Sequence, residues 1–435
     1  MPATAPASPR HASARTDPAS SRASDHTRRT TPSASPASAD HPRRPERPDR
    51  DHTPLGRARS RLRPADREVL WLYLLTRVAL WTTAYCTRLL FPAHGDDRVP
   101  EPVLTSFERW DCRHFLHIAR DGYFPDEAGA GPGPGAGDNR EAFFPGFPLL
   151  LRAVHTVVPD WTVAGLLISF VAGAVAVVAL ARIAELHLPD AHAGRRAALF
   201  LLLSPCAVFL AAGYSEALFL AFALPAWLAA RRHHWLLAAL LAAGATTARV
   251  SGLFLAAALA VHFLLTVRTG RRRAALLALP ALPALLYFWY LYARTGDWMA
   301  WKHAQERGWY RHFRAPWDAW SQTWHEAFAQ TQATGYAAVF QADLVAMLLG
   351  LGLLALLVRR RRWPEAVYIA LTLWALGTSY WYMSVARSTL LWWPLWIGLA
   401  ARSLRVRTTT TVYVCLLAPL GTVLSVTFLT GRWAG

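Results

Sequence analysis

Apolar segments long enough to cross a lipid bilayer recur from Val69 to the C-terminus, with short arginine runs between them. A helix needs about 18 apolar residues to reach across ~30 Å of hydrocarbon, and inside that layer the backbone can bond only to itself. Helices of a soluble core show a polar face at helical period, and these segments do not. The expected fold is therefore an all-α polytopic membrane protein. Hydrophobic residues make up 54% of the 435 positions, although the first stretch contains almost none.

The net charge of +18 invites a nucleic-acid reading, but the placement of the charges argues against it. Lys302 is the one lysine; the arginines gather at Arg195-Arg196, Arg231-Arg232, Arg271-Arg272-Arg273, Arg359 to Arg362, and Arg402, Arg405 and Arg407. Short basic runs between apolar spans mark cytoplasmic loops. No basic patch with interleaved aromatics appears, so no nucleic-acid partner is expected. The four cysteines (Cys86, Cys112, Cys206, Cys415) form no CxxC or Cys/His cluster, which gives no support to a zinc or redox site. Whether Cys86 and Cys112 pair stays open.

Residues 1–67 are rich in Ala, Ser, Pro, Thr, Arg and Asp and too poor in apolar side chains to offset the entropy of ordering. They read as a disordered cytoplasmic tail, and 68–435 as the membrane domain. The positive-inside rule then permits one trace. Val69–Phe91 leads outward to a first outer stretch, Pro92–Ala142, with ten acidic against five basic residues. Trp161–Leu186, Ala197–Gly213, Ser215–Ala230, Trp235–Thr247, Leu253–Val267 and Ala274–Ala293 follow, ending at a second outer loop, Arg294–Gln341. Ala342–Val358, Ala366–Met383, Thr389–Ala401 and Val412–Thr430 complete about eleven transmembrane helices with two long extracytoplasmic loops. Phe143–Val158 is interrupted by Pro145, Gly146 and Pro148 and reads as re-entrant or interfacial.

The first outer loop carries the densest polar and aromatic cluster, Glu108 to Tyr123. It predicts a short helix from about Cys112, ended by Gly122 in the left-handed conformation. Asp111 is among the best N-cap types, and periodicity alone favours the cap, which does not exclude a catalytic role. Gly129–Gly137 reads as a flexible surface run. Arg77 and Arg88, in the first span, read as snorkelling or paired side chains. The tryptophans of the second loop (Trp298, Trp301, Trp309, Trp317, Trp320, Trp324) suit an amphipathic helix in the membrane interface.

Two of these segments, WD-x-x-H-F-L-x-I-A-x-x-G-Y at Trp110–Tyr123 and AFFP-x-FPLL at Ala142–Leu150, are followed in order by three more. These are Ser204-Pro205 with Ala211 to Glu216, Ala248 to Gly252, and Ser384 to Arg387. The set resembles the PIG-V family, mannosyltransferases of the GT-C fold. Departures occur at Cys112, Gly146 and Val250-Ser251. The resemblance implies a mannosyltransferase in the plasma membrane, taking mannose from a polyprenyl-phosphate (dolichyl-type) donor to an extracytoplasmic lipid or glycan acceptor. Such a reaction needs a base for the acceptor hydroxyl and cations for the departing phosphate. Asp111 is the expected base, with Glu108 and Asp121 behind it. His114, Arg249 and Arg387 are the expected phosphate partners. Glu216 pairs with one of these arginines or is a solvated loop carboxylate. No metal or other cofactor is expected, because a lipid monophosphate carries no diphosphate. A transporter or flippase is the rival class, but it would show paired halves with matching broken helices, and no internal repeat is visible.

Overall fold

The computed structural model describes residues 63–91, 102–125, 139–268 and 271–435, which are all helix, turn and irregular chain. Residues 1–62 of the expected tail, the run Gly129–Gly137 and much of the first outer loop lie outside the described residues.

Five stretches are long and apolar enough to cross a membrane: Pro64–Leu90, Trp161–His187, Ala274–Thr295, Thr334–Arg359 and Thr408–Leu429. Among the described residues, five of the expected eleven spans thus meet the length and composition of a full crossing. Trp235–Ala248 and Ser251–Thr266, at 14 and 16 residues, are apolar but short. At 1.5 Å per residue they reach only about 21 and 24 Å, and the chain breaks between them at Arg249-Val250.

The first helix, α1 (Pro64–Leu90), starts inside the expected tail rather than at Val69. Pro64 opens it, a position whose N–H needs no partner. Asp66 in its first turn is buried and bonds Arg63 and, at 2.7 Å, Arg182. The second site of disagreement is Ala197–Gly213. A helix ends at Leu202, and a 3-10 turn covers Ala207–Leu210. Pro205 cannot continue a helix, so the chain turns at Ser204-Pro205. The segment Arg294–Gln341, expected as a second outer loop, also contains structure, the helices Ala300–Trp309 and Pro316–Phe328.

The centre of the bundle is α4 (Trp161–His187) packed against α6 (Ser215–Arg231), which in turn packs against α7 (Trp235–Ala248). Small residues make this possible. Ala164, Ala172 and Ala176 of α4 are buried together with Ala223, Ala226 and Ala230 of α6, which lets the backbones approach without large side chains between them. Outward faces carry large apolar residues instead: Trp71, Leu75, Val78 and Leu89 on α1, and Val412, Leu416 and Val423 on Thr408–Leu429 are each more than half exposed. Removing one such side chain from water is worth about 1.5–3 kcal/mol, so a belt of them is stable against lipid and not against water.

The Pro-broken segment forms α3 (Gly146–His155), ten residues long. Its length of about 15 Å cannot cross a bilayer. Phe147 and Leu151 face the core while Leu149 is exposed. A Cβ on Gly146 would stand 2.7 Å from backbone atoms of Thr247, which is why no bulkier residue fits between the prolines. Gly146→Val should therefore lower the amount of folded protein extracted from membranes; normal abundance would show that α3 and α7 move apart freely.

Candidate active site

Asp111 is the first residue of α2 (Asp111–Asp121), and its side chain caps nothing. Trp110 takes the cap position with φ 49°, a sparsely populated conformation that costs a non-glycine residue roughly 1–3 kcal/mol. The Tyr214 hydroxyl donates to the carbonyl of Arg109 at 2.9 Å and helps hold this bend. The cap reading is thus corrected, and the Asp111 carboxylate turns to Arg387. Gly122 ends the helix with φ 84° and ψ −174°, a glycine conformation but not the left-handed helical one expected.

Arg387 Nη2 bonds Asp111 Oδ2 at 2.7 Å, and Arg387 Nε bonds Glu216 Oε1 at 2.6 Å. Arg249 Nη1 reaches the same Glu216 oxygen at 2.6 Å and Ser215 Oγ at 2.9 Å. Glu216 is 1% exposed at the start of α6, where the helix end also favours negative charge. It is no solvated loop carboxylate. The Arg387 guanidinium lies 4.7 Å from the ring centres of both Phe209 and Tyr214, a placement that suits a desolvated cation. Residues 111, 216, 249 and 387 thus form one chain of alternating charge.

The loop carrying Arg387 is itself fixed from below. Ser384 has φ 61°, and the short helix Val385–Ser388 follows it. Asp343, a carboxylate within the apolar stretch Thr334–Arg359, accepts the Ala386 N–H at 2.8 Å. Burial pushes the Asp111 carboxyl up, but the charge and hydrogen bond of Arg387, with His114 and Arg249 adding, hold it below the usual carboxylate range. Burial works against the Arg387 charge too, and Asp111 and Glu216 more than compensate, raising it above the ordinary value. Both groups are ionised at neutral pH.

These groups meet a cavity of about 330 Å³. Asp111, Arg249, Lys302, Arg311 and Arg387 supply its charge, Ser215, Ser379 and Ser384 its hydroxyls, and Phe143, Phe144, Phe254, Trp301 and Trp309 an apolar wall. Other candidates are elsewhere. Glu108 accepts the Thr162 hydroxyl, and Asp121, at the far end of α2, bonds Arg120. Ten residues of helix separate it from Asp111, about 15 Å. His114 stacks on Phe143 at 4.8 Å and meets Trp309 edge-on at 5.8 Å, behind the aromatic wall. Cys112 and Cys86 are both free thiols.

Some participants had no reading from sequence. Asp343 did carry a signal, an acidic residue inside an apolar span, which is costly without a role. Trp301 and Trp309 line the cavity, whereas Trp298, Trp317 and Trp324 are exposed as an interfacial role requires. Arg311 gave no signal beyond its place in an aromatic loop. Among the described residues no group of three or more His, Cys, Asp or Glu side chains is arranged to hold a metal.

Residues 69–268 match the family model described as Mannosyltransferase (PIG-V). Among curated proteins, the mouse (Mus musculus) GPI alpha-1,6-mannosyltransferase 2 is 36% identical over 146 residues, covering 31% of this chain and 27% of the relative. The human (Homo sapiens) protein of that name is 34% identical over 180 residues, covering 39% and 34%. The chain thus matches about a third of the length of these relatives. Asp111, His114, Glu216 and Arg249 fall inside the matched stretch, and Arg311 and Arg387 outside it. Over that stretch, a little under half of its length, the chain is similar to the PIG-V mannosyltransferases.

Proposed function

We propose that this chain is a membrane mannosyltransferase that moves mannose from a polyprenyl-phosphate donor to an extracytoplasmic lipid or glycan acceptor. The observation that carries the reading is an ionised, partly exposed carboxylate, Asp111, sharing one cavity with three arginines in a chain whose residues 69–268 match that family's model. The acceptor hydroxyl attacks the anomeric carbon as the carbon–oxygen bond to phosphate breaks. Its proton passes to Asp111, and polyprenyl phosphate leaves with one more negative charge than it had as donor. A base across the sugar from the leaving phosphate gives inversion. Oδ2 of Asp111 is held by Arg387 while the side chain stays 14% exposed, so a free oxygen remains for the proton. Arg249, 27% exposed, stands where the phosphate charge develops. His114 supports the wall from behind. The apolar wall suits the first prenyl units, and the hydroxyls suit sugar.

The wider arrangement belongs to the same proposal: a GT-C-like bundle of about eleven crossings in the plasma membrane, N-terminus cytoplasmic, Pro92–Ala142 and Arg294–Gln341 outside. Reporter fusions after Leu186, Ala230 and Arg362 should then read cytoplasmic, and fusions in the two outer stretches should read outside. All three sites reading outside would mean that 143–158 crosses and the trace is inverted.

Membranes supplied with labelled polyprenyl-phosphate mannose should give a mannosylated product by mass analysis. No product with any lipid-phosphate hexose, together with movement of the lipid across the bilayer, would favour the transporter class. The rate should stay flat from pH 7 to 5 as far as the base is concerned, because Asp111 titrates below 3.8. Any stability its charge contributes is likewise present above 3.8 and lost as pH falls through the lower folded value. An acid limb centred near pH 6 would assign the base to another group. Chelators should leave the rate unchanged, since both carboxylates of the cluster are bonded to guanidiniums.

A further inference from the structure

The charges at the cavity do not balance, and the imbalance has one address. Arg387 is bonded to Asp111 and Glu216, and Arg249 to Glu216. Lys302, which also lines the cavity, is paired with Glu306. Asp343 bonds the amide of Ala386 and no guanidinium. Arg311 lines the same cavity, its Nε is buried without a hydrogen-bond partner, and among the described residues no carboxylate lies within ion-pair distance of it.

Its position is built. Tyr310 ends the helix Ala300–Trp309 in the left-handed conformation, φ 52°, which turns the chain toward the cavity. The strand of chain that follows is tied to the 378–380 segment on either side of Arg311. Tyr380 N–H donates to the Tyr310 carbonyl at 3.3 Å, and Arg314 N–H to the Thr378 carbonyl at 2.9 Å. A bulky non-glycine residue at positive φ costs free energy that a surface loop has no need to meet.

We infer that Arg311 is the anchor for the phosphate of the lipid-linked donor, leaving Arg387 to hold the two carboxylates. This rests on the donor class proposed above and deepens it: the ligand is an anionic lipid phosphate whose charge fills the cationic position of the cavity that no described carboxylate matches. A guanidinium presents a planar fork that matches two phosphate oxygens at once. Burial pushes the Arg311 guanidinium down to about 10, with the Arg249 charge adding to the effect. An arriving anion relieves both.

The test is equilibrium binding of radiolabelled polyprenyl phosphate to the full-length protein in nanodiscs, beside the same polyprenol without phosphate. The wild type should prefer the phosphate, and Arg311→Gln should lose that preference by about ten- to a hundredfold, the range for a hydrogen bond to a charged group. Arg314→Gln, whose guanidinium lies over Tyr380 at 5.2 Å and outside the cavity wall, should keep it. If Arg311→Gln does not accumulate, Arg311→Met, which keeps the apolar stem, takes its place. An unchanged preference in the Arg311 variant, or an equal loss in Arg314→Gln, overturns the assignment alone. A wild type that binds the alcohol as well as the phosphate overturns the donor class itself, and the assignment with it.

Discussion

Asp111→Asn should reduce mannose transfer by about 10²–10⁴-fold per mole of folded protein, the usual contribution of a positioned base. The substitution keeps the size and polarity of the side chain and removes its ability to take a proton at neutral pH. Because Asp111 caps no helix, the usual equivalence of Asn and Asp as caps has no bearing on folding here. What folding loses is one charge partner of Arg387, which retains Glu216 at 2.6 Å. The variant should therefore still accumulate, and polyprenyl phosphate binding should survive through Arg249 and Arg311. Asp111→Ala should lose the same activity and somewhat more stability. Asp111→Glu should recover little, since one extra methylene displaces the carboxylate into a cavity already lined by Phe115 and Phe143. The decisive measurement is single-turnover transfer with purified variants. A fully active Asn variant would remove Asp111 from the chemistry, and neither Glu108 nor Asp121 is placed to replace it.

Much of this arrangement could be read from the chain, and the parts that could not share a physical reason. Apolar composition identifies membrane helices well, because lipid leaves the backbone no other partner. It does not fix where each one ends, because a helix ends where the chain breaks. Ser204-Pro205 divides one expected span, and Arg249-Val250 limits two others to 14 and 16 residues. Asp111, Glu216, Arg249 and Arg387 were each visible as charged groups in or beside apolar or aromatic segments. Their mutual bonds were not, since the Asp111–Arg387 contact joins positions 276 residues apart and no periodicity encodes such a distance. Arg387 accordingly read as a phosphate partner when its nearest neighbours are carboxylates. The role of Arg311 depends on a turn at Tyr310 and on two backbone bonds to the 378–380 segment, neither of which leaves a local sequence mark.

Arg387→Gln should have the largest effect on the folded protein. The change leaves Asp111 and Glu216 without a shared cation in a site where Glu216 is almost fully buried. Breaking a buried pair by removing one partner costs about 3–5 kcal/mol, a large share of the stability of a typical domain, so much less protein should be recovered. Low abundance by itself would not separate a structural arginine from one that also serves the reaction. The double variant Arg387→Gln/Glu216→Gln does separate them. It removes one charge of each sign and leaves Arg249 and Asp111 to face each other across the same cavity. Abundance should return toward wild type, while transfer per mole of folded protein stays at least about a hundredfold down, in the range seen when a preorganised charge partner is lost. That residual defect has a specific signature. Without Arg387 the largest influence opposing the burial that pushes the Asp111 carboxyl up is gone and only the smaller ones of His114 and Arg249 remain, so the Asp111 carboxyl rises and an acid limb absent from the wild type between pH 7 and 5 should appear in the double variant. A double variant that folds and transfers mannose at the wild-type rate with a flat profile would make Arg387 a purely structural arginine.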